Sequence, residues 1–220
     1  MESFDFVKWI DHAGFLIEAK KARIYIDPFR IRDPSKLEKA DLIFVTHSHF
    51  DHLSPKDISA ISGDSTQVVA PKEATSKLSG NVLAVEPGKH YSAKGVEFDT
   101  VPAYNIKQER LNFHPRANNW VGYIIDTGDS RIYHAGDTDF TPEMEKVSAD
   151  LALLPVGGTY TMNVEEAIAA AKSMKNVSYF APMHYKALLG NAYKQAEEKF
   201  KKNVANSMIL NQIQEPFLFL

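Results

Sequence analysis

The feature that most constrains this chain is a short apolar run followed at once by a cluster of polar side chains. Residues 42–46, Leu-Ile-Phe-Val-Thr, have the composition of a buried β-strand. Four potential metal ligands come directly after this run: His47, His49, Asp51 and His52. The strand would present them at its C-terminal end, so later segments must return to the same edge if they are to complete a site.

The spacing within this cluster predicts two metal positions. His47 and His49 are two residues apart in an extended segment, so their side chains point to the same side and can bind one ion. Asp51 and His52 lie where the chain turns into a helix and could hold a second ion. A polar loop is the alternative, but three histidines and an aspartate in six residues favour metal binding. Imidazole with carboxylate suits zinc, which we expect here, and also manganese and iron.

Composition narrows the class of protein. The 220 residues are 44% hydrophobic, contain no cysteine and carry a formal net charge of −3. Thiolate ligands, disulfides and a cysteine nucleophile are therefore excluded, and the absence of cysteine is compatible with a cytoplasmic location. The short basic cluster at 199–202 follows two glutamates and indicates a solvated helix face rather than a nucleic-acid surface. No apolar run approaches the length of a membrane span.

The order of predicted elements indicates an α/β fold. Strands are predicted at 4–9, 14–18, 24–27, 42–46, 67–70, 81–85, 91–93, 96–101, 120–126, 131–134, 151–155, 177–182 and 217–220. Helices are predicted to begin at Pro55 after Ser54, at 71–73, after an Asn163 cap and over 192–204. This order favours a single domain, 1–220, with two sheets packed face to face and helices outside, an αββα sandwich. The terminal strand could instead close a homo-oligomer interface.

Two further segments run from a predicted strand into a turn that ends in a ligand. Residues 131–138 present Asp137, and residues 179–184 present His184. Each alone would be a common turn residue, but beside the first cluster both become candidate ligands.

At this point the sequence resembles the metallo-β-lactamase superfamily, whose His-x-His-x-Asp-His signature matches His47, His49, Asp51 and His52. The likeness extends over most of residues 6–186, in the segments 12–18, 27–29, 133–138, 153–157, 161–162 and 182–184. These segments are similar to the branch that includes ascorbate-6-phosphate lactonase and relatives of N-acyl-phosphatidylethanolamine phospholipase D. The resemblance implies that Asp137 bridges two metals and that His184 completes the second site.

One position departs from the family pattern. The family supplies a third histidine to the first metal from a mid-chain strand, where this chain has Tyr104. A phenol is a poor ligand unless it is ionised, so three arrangements stay open. They are two metals of unequal affinity, one tightly bound metal, or a first site completed by His114. A free loop histidine is the alternative for His114.

Other side chains are weighed against structural roles. His12 could donate to the site or be a core histidine, and Asp27 could hydrogen-bond near the cluster or simply start a turn. We expect His134 to orient ligands through its ring rather than to bind metal, and His90 to lie on the surface.

The predicted function is metal-dependent hydrolysis of a small ester, lactone or phosphoester by a metal-bound hydroxide. Asp51 would orient the nucleophile, and a metal-bound water, His12 or Tyr104 could protonate the leaving group. A phosphodiesterase or nuclease of the same fold is one alternative, although it usually needs a basic surface. A non-catalytic metal or ligand sensor is the other, and Tyr104 is the reason to consider it.

Overall fold

Two mixed β-sheets form the centre of the molecule. The computed structural model describes residues 4–214, and these contain two sheets of six strands each. The first sheet follows chain order: β1 (Val7–Asp11), β2 (Gly14–Glu18), β3 (Arg23–Ile26), β4 (Ala40–Phe44), β5 (Ser62–Pro71) and β6 (Asn81–Val85). The second has the order β12 (Asn176–Met183), β11 (Ser148–Pro155), β10 (Arg131–His134), β9 (Val121–Asp126), β8 (Val96–Pro102) and β7 (His90–Ala93).

Strand direction brings the functional loops to one edge. In the first sheet β3 to β6 run parallel, and in the second β10 to β12 run parallel. Parallel strands place their carboxyl ends at the same edge, which is where α/β folds bind ligands. The segments that follow β3, β4, β10 and β12 therefore begin close to the interface between the sheets.

The alternation of side chains along each strand separates two buried layers. Phe44 of β4 points between the sheets, where its ring meets those of Phe98 and Tyr123 edge-on, both at 4.9 Å between centroids. Its neighbours Ile43 and Val45 face the other side and pack in a second cluster that includes Ile58 and Ile61. This alternation is the period of two expected of a strand buried on both faces.

Helices cover the outer faces. They are α1 (Pro55–Ile61), α2 (Val164–Ser173), α3 (Lys186–Leu189) and α4 (Tyr193–Asn203). Ser54 caps α1 by accepting a hydrogen bond from the Asp57 amide, and Asn163 begins α2 with a reciprocal capping box to Glu166. The buried face of α2 and Phe200 of α4 join the core of the second sheet. The predicted α/β sandwich is thus confirmed.

Several element boundaries differ from the prediction. The strand expected to run through Thr46 ends at Phe44, because the Thr46 amide donates to the Asp27 carboxylate instead of to a neighbouring strand. β5 begins at Ser62, earlier than expected, and the predicted helix after Pro71 is a 3-10 helix over Lys72–Lys77. The four-residue α3 was not predicted, since it is too short to show a helical period.

Two predictions concern the ends of the chain and the membrane. The strand predicted at 217–220 lies outside the described residues. Between residues 4 and 214, no helix is long and apolar enough to cross a bilayer.

Candidate metal centre

Side chains from five separate loops converge between the carboxyl ends of the two sheets. The turn between β1 and β2 supplies one of them, the loop after β4 supplies four, and the loops 103–120, 135–139 and the residue after β12 supply the others. Their donor atoms form three overlapping groups, each with all atoms within 4.8 Å: His12, Asp51, His52 and His184; His47, His49 and His114; His47, His52 and Asp137.

The first group consists of three histidines. His47 Nε2 lies 3.1 Å from His49 Nδ1, and the His114 ring stands 5.3 Å from that of His47 and 5.1 Å from that of His49. Of the three arrangements that the sequence left open, the structure brings His114 into the position of the missing third histidine. Its Nε2 also lies 3.2 Å from Asp137 Oδ2.

Asp137 stands between the first group and the second. Its Oδ2 lies 3.2 Å from His114 Nε2 of the first group and 3.1 Å from His184 Nε2 of the second, and its Oδ1 lies 3.3 Å from His52 Nε2 of the second. Asp51 borders the second group, with its Oδ2 3.1 Å from His12 Nε2 and 3.7 Å from His184 Nε2. A single carboxylate therefore faces nitrogens of both groups, which is the geometry of a bridging ligand.

Buried polar atoms without partners test whether this set fits a metal. Among the described residues, four buried atoms that face one another have no hydrogen-bond partner: His52 Nε2, His114 Nε2, His184 Nε2 and Asp137 Oδ1. Leaving such atoms unsatisfied is costly, and native structures rarely do so without a ligand, ion or water. Imidazole nitrogens and a carboxylate oxygen are donors that zinc, iron and manganese accept. The donor set therefore fits one or more divalent ions.

Asp27 orients the rings of His47 and His52 through hydrogen bonds to their Nδ1 side, directly for His52 and through Thr46 for His47. Its carboxylate accepts hydrogen bonds from the Thr46 amide (2.8 Å), the Thr46 hydroxyl (2.6 Å) and His52 Nδ1 (2.7 Å). Since the Thr46 proton is given to Asp27, His47 Nδ1–H donates to the Thr46 oxygen at 2.9 Å. Both rings are thereby held as the tautomer that directs Nε2 toward the centre. Such supporting bonds fix ring orientation in metal sites.

A second buried network holds His114, which lies on a long loop. His114 Nδ1 donates to Asn105 Oδ1 at 2.5 Å, and the Asn105 amide donates to Asp139 Oδ1 at 3.3 Å. Asp139 also accepts from the backbone amides of Ile106 (2.7 Å) and Lys107 (2.9 Å). The side chain of Arg110 donates to the same carboxylate at 2.5 Å. One buried aspartate thus organises the segment that carries the third histidine.

Tyr104, a predicted ligand position and proton donor, belongs to none of these donor groups. The Tyr104 hydroxyl donates to Glu143 at 2.9 Å, and the Arg116 guanidinium packs over its ring. Burial and Glu143 both raise the pKa of Tyr104, so its phenol is neutral, and its hydroxyl is committed to Glu143. Tyr104 therefore fits neither as a ligand nor as the proton donor that the sequence suggested. Its backbone instead braces the loop after Asp137, because its carbonyl accepts from the Asp139 amide at 3.0 Å.

His134 contacts backbone rather than ligand rings. Its Nε2 donates to the Ala13 carbonyl at 2.8 Å, and its Nδ1 accepts from the Gly136 amide at 3.2 Å. It holds the turn before Asp137 and so acts through the main chain, not through the ligand side chains as expected. His90 is exposed and pairs with Asp99 and Glu97.

The backbone is unusual at the centre. His12, Asp27 and His184 adopt positive φ angles of 52°, 43° and 59°. Such conformations are uncommon for residues other than glycine and cluster at functional sites. The His184 amide donates to the His12 carbonyl at 2.9 Å, which joins the two strained positions.

Electrostatics at the centre favour added positive charge. Burial opposes ionisation of Asp137, yet His184 and His52 hold the pKa of its carboxyl well below the usual range. Burial likewise opposes a charged His184, but Asp137 raises the pKa of that imidazole to about 9. Burial and the neighbouring His184 lower the pKa of His12 to about 4, which keeps this ring neutral at pH 7. A cation bound between the carboxylates would replace the proton on His184.

Sequence reasoning missed the supporting residues. Thr46, Asn105, Asp139 and Arg110 carry no spacing signal, because their partners are 9 to 34 residues away in the chain or are reached through backbone atoms. Only Asp139, two residues after a candidate ligand, had a position that could have drawn attention.

Comparison with known proteins places the chain in a family. The family model described as Beta-lactamase superfamily domain matches residues 6–184. A UPF0173 metal-dependent hydrolase of Thermoplasma volcanium is 35% identical over 94% of this chain and 96% of its own length. Another, of Pelotomaculum thermopropionicum, is 37% identical over 81% of this chain and 83% of its own length. The chain belongs to the beta-lactamase superfamily, and within it to the UPF0173 group.

A solved structure agrees with this placement. A protein of Parabacteroides distasonis, assigned as a metal-dependent hydrolase, superposes with a TM-score of 0.81 at 31% identity. The match covers 94% of this chain and 92% of that one. The resemblance to the metallo-β-lactamase superfamily is thereby confirmed.

Proposed function

We propose that this protein is a metal-dependent hydrolase that holds two divalent ions. His47, His49 and His114 would hold the first ion, and Asp51, His52 and His184 the second, with Asp137 between them. The observation that carries this proposal is the set of buried, partnerless nitrogens arranged around the two oxygens of Asp137. The names of the similar UPF0173 proteins support metal-dependent hydrolysis as the reaction class.

Divalent ions of this kind polarise a substrate carbonyl or phosphoryl oxygen and make water a nucleophile near neutral pH. Zinc is our first choice for a set of imidazoles and carboxylates, with manganese and iron as alternatives. No side-chain nucleophile is then required, and the chain has no cysteine to serve as one.

The residues of the chain position the reactants. Asp51 is ionised, because His52, His12 and His184 hold the pKa of its carboxyl below the usual range against the effect of burial. Its side chain is 21% exposed and lines a cavity, so it can accept a hydrogen bond from the attacking water. His12 Nε2 fixes the orientation of Asp51 through their 3.1 Å contact. His12 also lines the cavity, but its ring is neutral at pH 7 and its Nε2–H is directed to Asp51, so it acts as a positioning residue rather than as the proton donor to the leaving group.

Hydrolysis after metal reconstitution tests the proposal. We would load the purified chain with zinc, manganese or iron and assay a lactone, an aryl ester and a phosphodiester, with and without a chelator. We expect chelator-sensitive turnover of at least one substrate, reduced about 100-fold or more by Asp51→Asn. His90→Ala, which removes an exposed histidine that is not among the candidate ligands, is the matched control and should keep full activity. Turnover that survives the chelator would contradict the proposal.

A further inference from the structure

A cavity beside the candidate centre is lined on its walls mainly by apolar side chains. It encloses about 380 Å³, and five of the site residues form its floor: His12, His49, Asp51, His114 and Asp137. This volume is at the lower end of the roughly 300–1,000 Å³ typical of small-molecule sites. The walls come from the loops after β3, β4 and β11, from the loop 103–120 and from α3, and most of their side chains are apolar.

Two aromatic pairs line this cavity. Phe29 and Phe50 meet edge-on at 5.9 Å between ring centroids, and Phe113 and Tyr160 meet edge-on at 4.8 Å. Leu188 of α3 lines the same cavity. Edge-to-face pairs are a stable arrangement for aromatic rings, so these walls hold a defined shape.

The exposure of these rings points to a ligand. Phe50 is 74% exposed, Tyr160 39% and Phe113 38%. Six large hydrophobic side chains are exposed among residues 4–214, and these three of them line this one cavity. Contiguous exposed apolar surface next to a polar site marks a ligand-binding groove more often than a structural accident.

The charge around the cavity limits what can bind. Arg30 is the one lysine or arginine among the described residues that line it, and its guanidinium packs over the Phe29 ring at 4.7 Å. The two acidic lining residues, Asp51 and Asp137, belong to the candidate centre. Sites for nucleotides or sugar phosphates present several donors to the phosphate oxygens. This cavity instead presents aromatic faces.

We propose that the substrate of this site is an ester or lactone that carries an aryl or branched alkyl group next to the bond that is cleaved. The inference rests on the proposed hydrolase function. The reacting carbonyl lies over the floor while the apolar group packs against the aromatic pairs. Water adds across the acyl carbon–oxygen bond, which releases a carboxylate and an alcohol, or one hydroxy acid from a lactone.

A matched pair of lactones tests this preference. γ-Phenyl-γ-butyrolactone and γ-butyrolactone have the same scissile bond and differ only in the apolar group. With the metal-loaded full chain, we expect kcat/KM to be about tenfold or more higher for the phenyl compound, since apolar groups in such pockets give roughly 10–200-fold discrimination. Phe113→Ala and Phe50→Ala should each narrow this ratio. Leu111→Ala is the control, because Leu111 is 37% exposed on the same loop as Phe113 but does not line the cavity.

Binding of 4-phenylbutyrate is a second test, which does not depend on turnover. We expect calorimetric titration to show binding that Phe113→Ala weakens about tenfold and Leu111→Ala leaves unchanged. Equal kcat/KM values for the two lactones would overturn the inference while leaving the hydrolase intact. Equal effects of Phe113→Ala and Leu111→Ala on binding would do the same. Phe113-dependent binding without chelator-sensitive turnover of any lactone, aryl ester or phosphodiester would instead overturn the proposed hydrolase and support the apolar binding site.

Discussion

His114 shows how much a single loop residue contributes to the candidate centre. It is separated from the signature cluster by more than 60 residues, yet its Nε2 stands 3.2 Å from Asp137 and its ring completes the group around His47 and His49. The loop that carries it has no regular strand, so its position depends on side-chain hydrogen bonds rather than on a sheet. Two predictions at the residue scale follow from this dependence.

Replacement of His114 should weaken the first metal position selectively. His114→Ala removes one of three imidazoles, so we expect the affinity of one metal per chain to fall by more than the roughly 10–100-fold that loss of a supporting residue costs. The second metal should be little affected. Competition titration with a chromophoric chelator measures both affinities, and His90→Ala is the control. Unchanged affinity of both metals would contradict a ligand role for His114.

Replacement of Asn105 should have the smaller effect of a positioning residue. Asn105→Ala leaves the three imidazoles in place but removes the acceptor for His114 Nδ1 and the link to Asp139. We expect a loss of about 10- to 100-fold in affinity at the first metal position. Asn203→Ala, which removes an exposed amide from the end of α4, is the matched control. A His114 variant and an Asn105 variant with equal, complete losses would contradict a positioning role.

The residues that could be predicted from sequence are those with a local signal. His47, His49, Asp51 and His52 stand together after an apolar run, and Asp137 and His184 each follow a recognisable strand. Tyr104 drew attention because it replaced an expected ligand, but its side chain turns toward Glu143. The support given by Asn105 and Asp139 arises only when the loop folds back, so no pattern in the sequence could indicate it.

At the scale of elements, close packing between β9 and the segment after β10 sets the position of Asp137. Gly122 in β9 has no room for a side chain, since an added Cβ would lie 2.6 Å from the His134 carbonyl and 2.7 Å from that of Ala135. Both contacts are with backbone atoms two or three residues before Asp137. The turn can therefore be moved by a single methyl group on the neighbouring strand.

Gly122→Ala should destabilise the fold and disturb the centre together. We expect a loss of about 1–3 kcal/mol in the free energy of unfolding, measured by urea denaturation, because overpacking of this kind forces backbone shifts. Metal affinity should fall as well. Gly63→Ala in β5 is the control, because its added Cβ would meet no atom nearer than 3.6 Å, in the Lys39 side chain. Equal effects of the two substitutions would contradict this account.

Strand interiors were easier to predict than strand ends. The apolar run that predicts β4 is clear, but its end depends on the distant Asp27 carboxylate, which captures the Thr46 amide. α1 and α2 began where expected, because Ser54 and Asn163 are local capping residues. Signals within one turn are visible in a sequence, whereas competition between distant partners is not.

At the scale of the whole molecule, the candidate centre joins the two sheets. His47, His49 and His52 follow β4 of the first sheet, while Asp137 and His184 follow β10 and β12 of the second. The order of strands and helices indicated this sandwich, and the family resemblance named it. The pairing of β11 with both β10 and β12, which brings the strand ends before Asp137 and His184 to one edge, required the structure.

Removal of metal should therefore lower the stability of the whole fold. A ligand at 100 times its Kd stabilises the native state by about 2.7 kcal/mol, which corresponds to a fall of roughly 5–10 °C in Tm for a chain of this size when the ligand is withdrawn. Thermal denaturation of the metal-loaded protein with and without a chelator measures this shift. The chelator should lower the Tm of Asp137→Asn by less than it lowers the Tm of the native chain. An identical Tm of the native chain with and without chelator would indicate that no metal links the sheets.

The central claim is that the converging donors hold two metal ions, and metal content per chain tests it most directly. We would measure it by elemental analysis of the reconstituted protein, for the native chain and for His184→Ala. The account predicts about two ions per chain, falling to one or fewer in the variant. No metal in either protein, even after reconstitution, would contradict it.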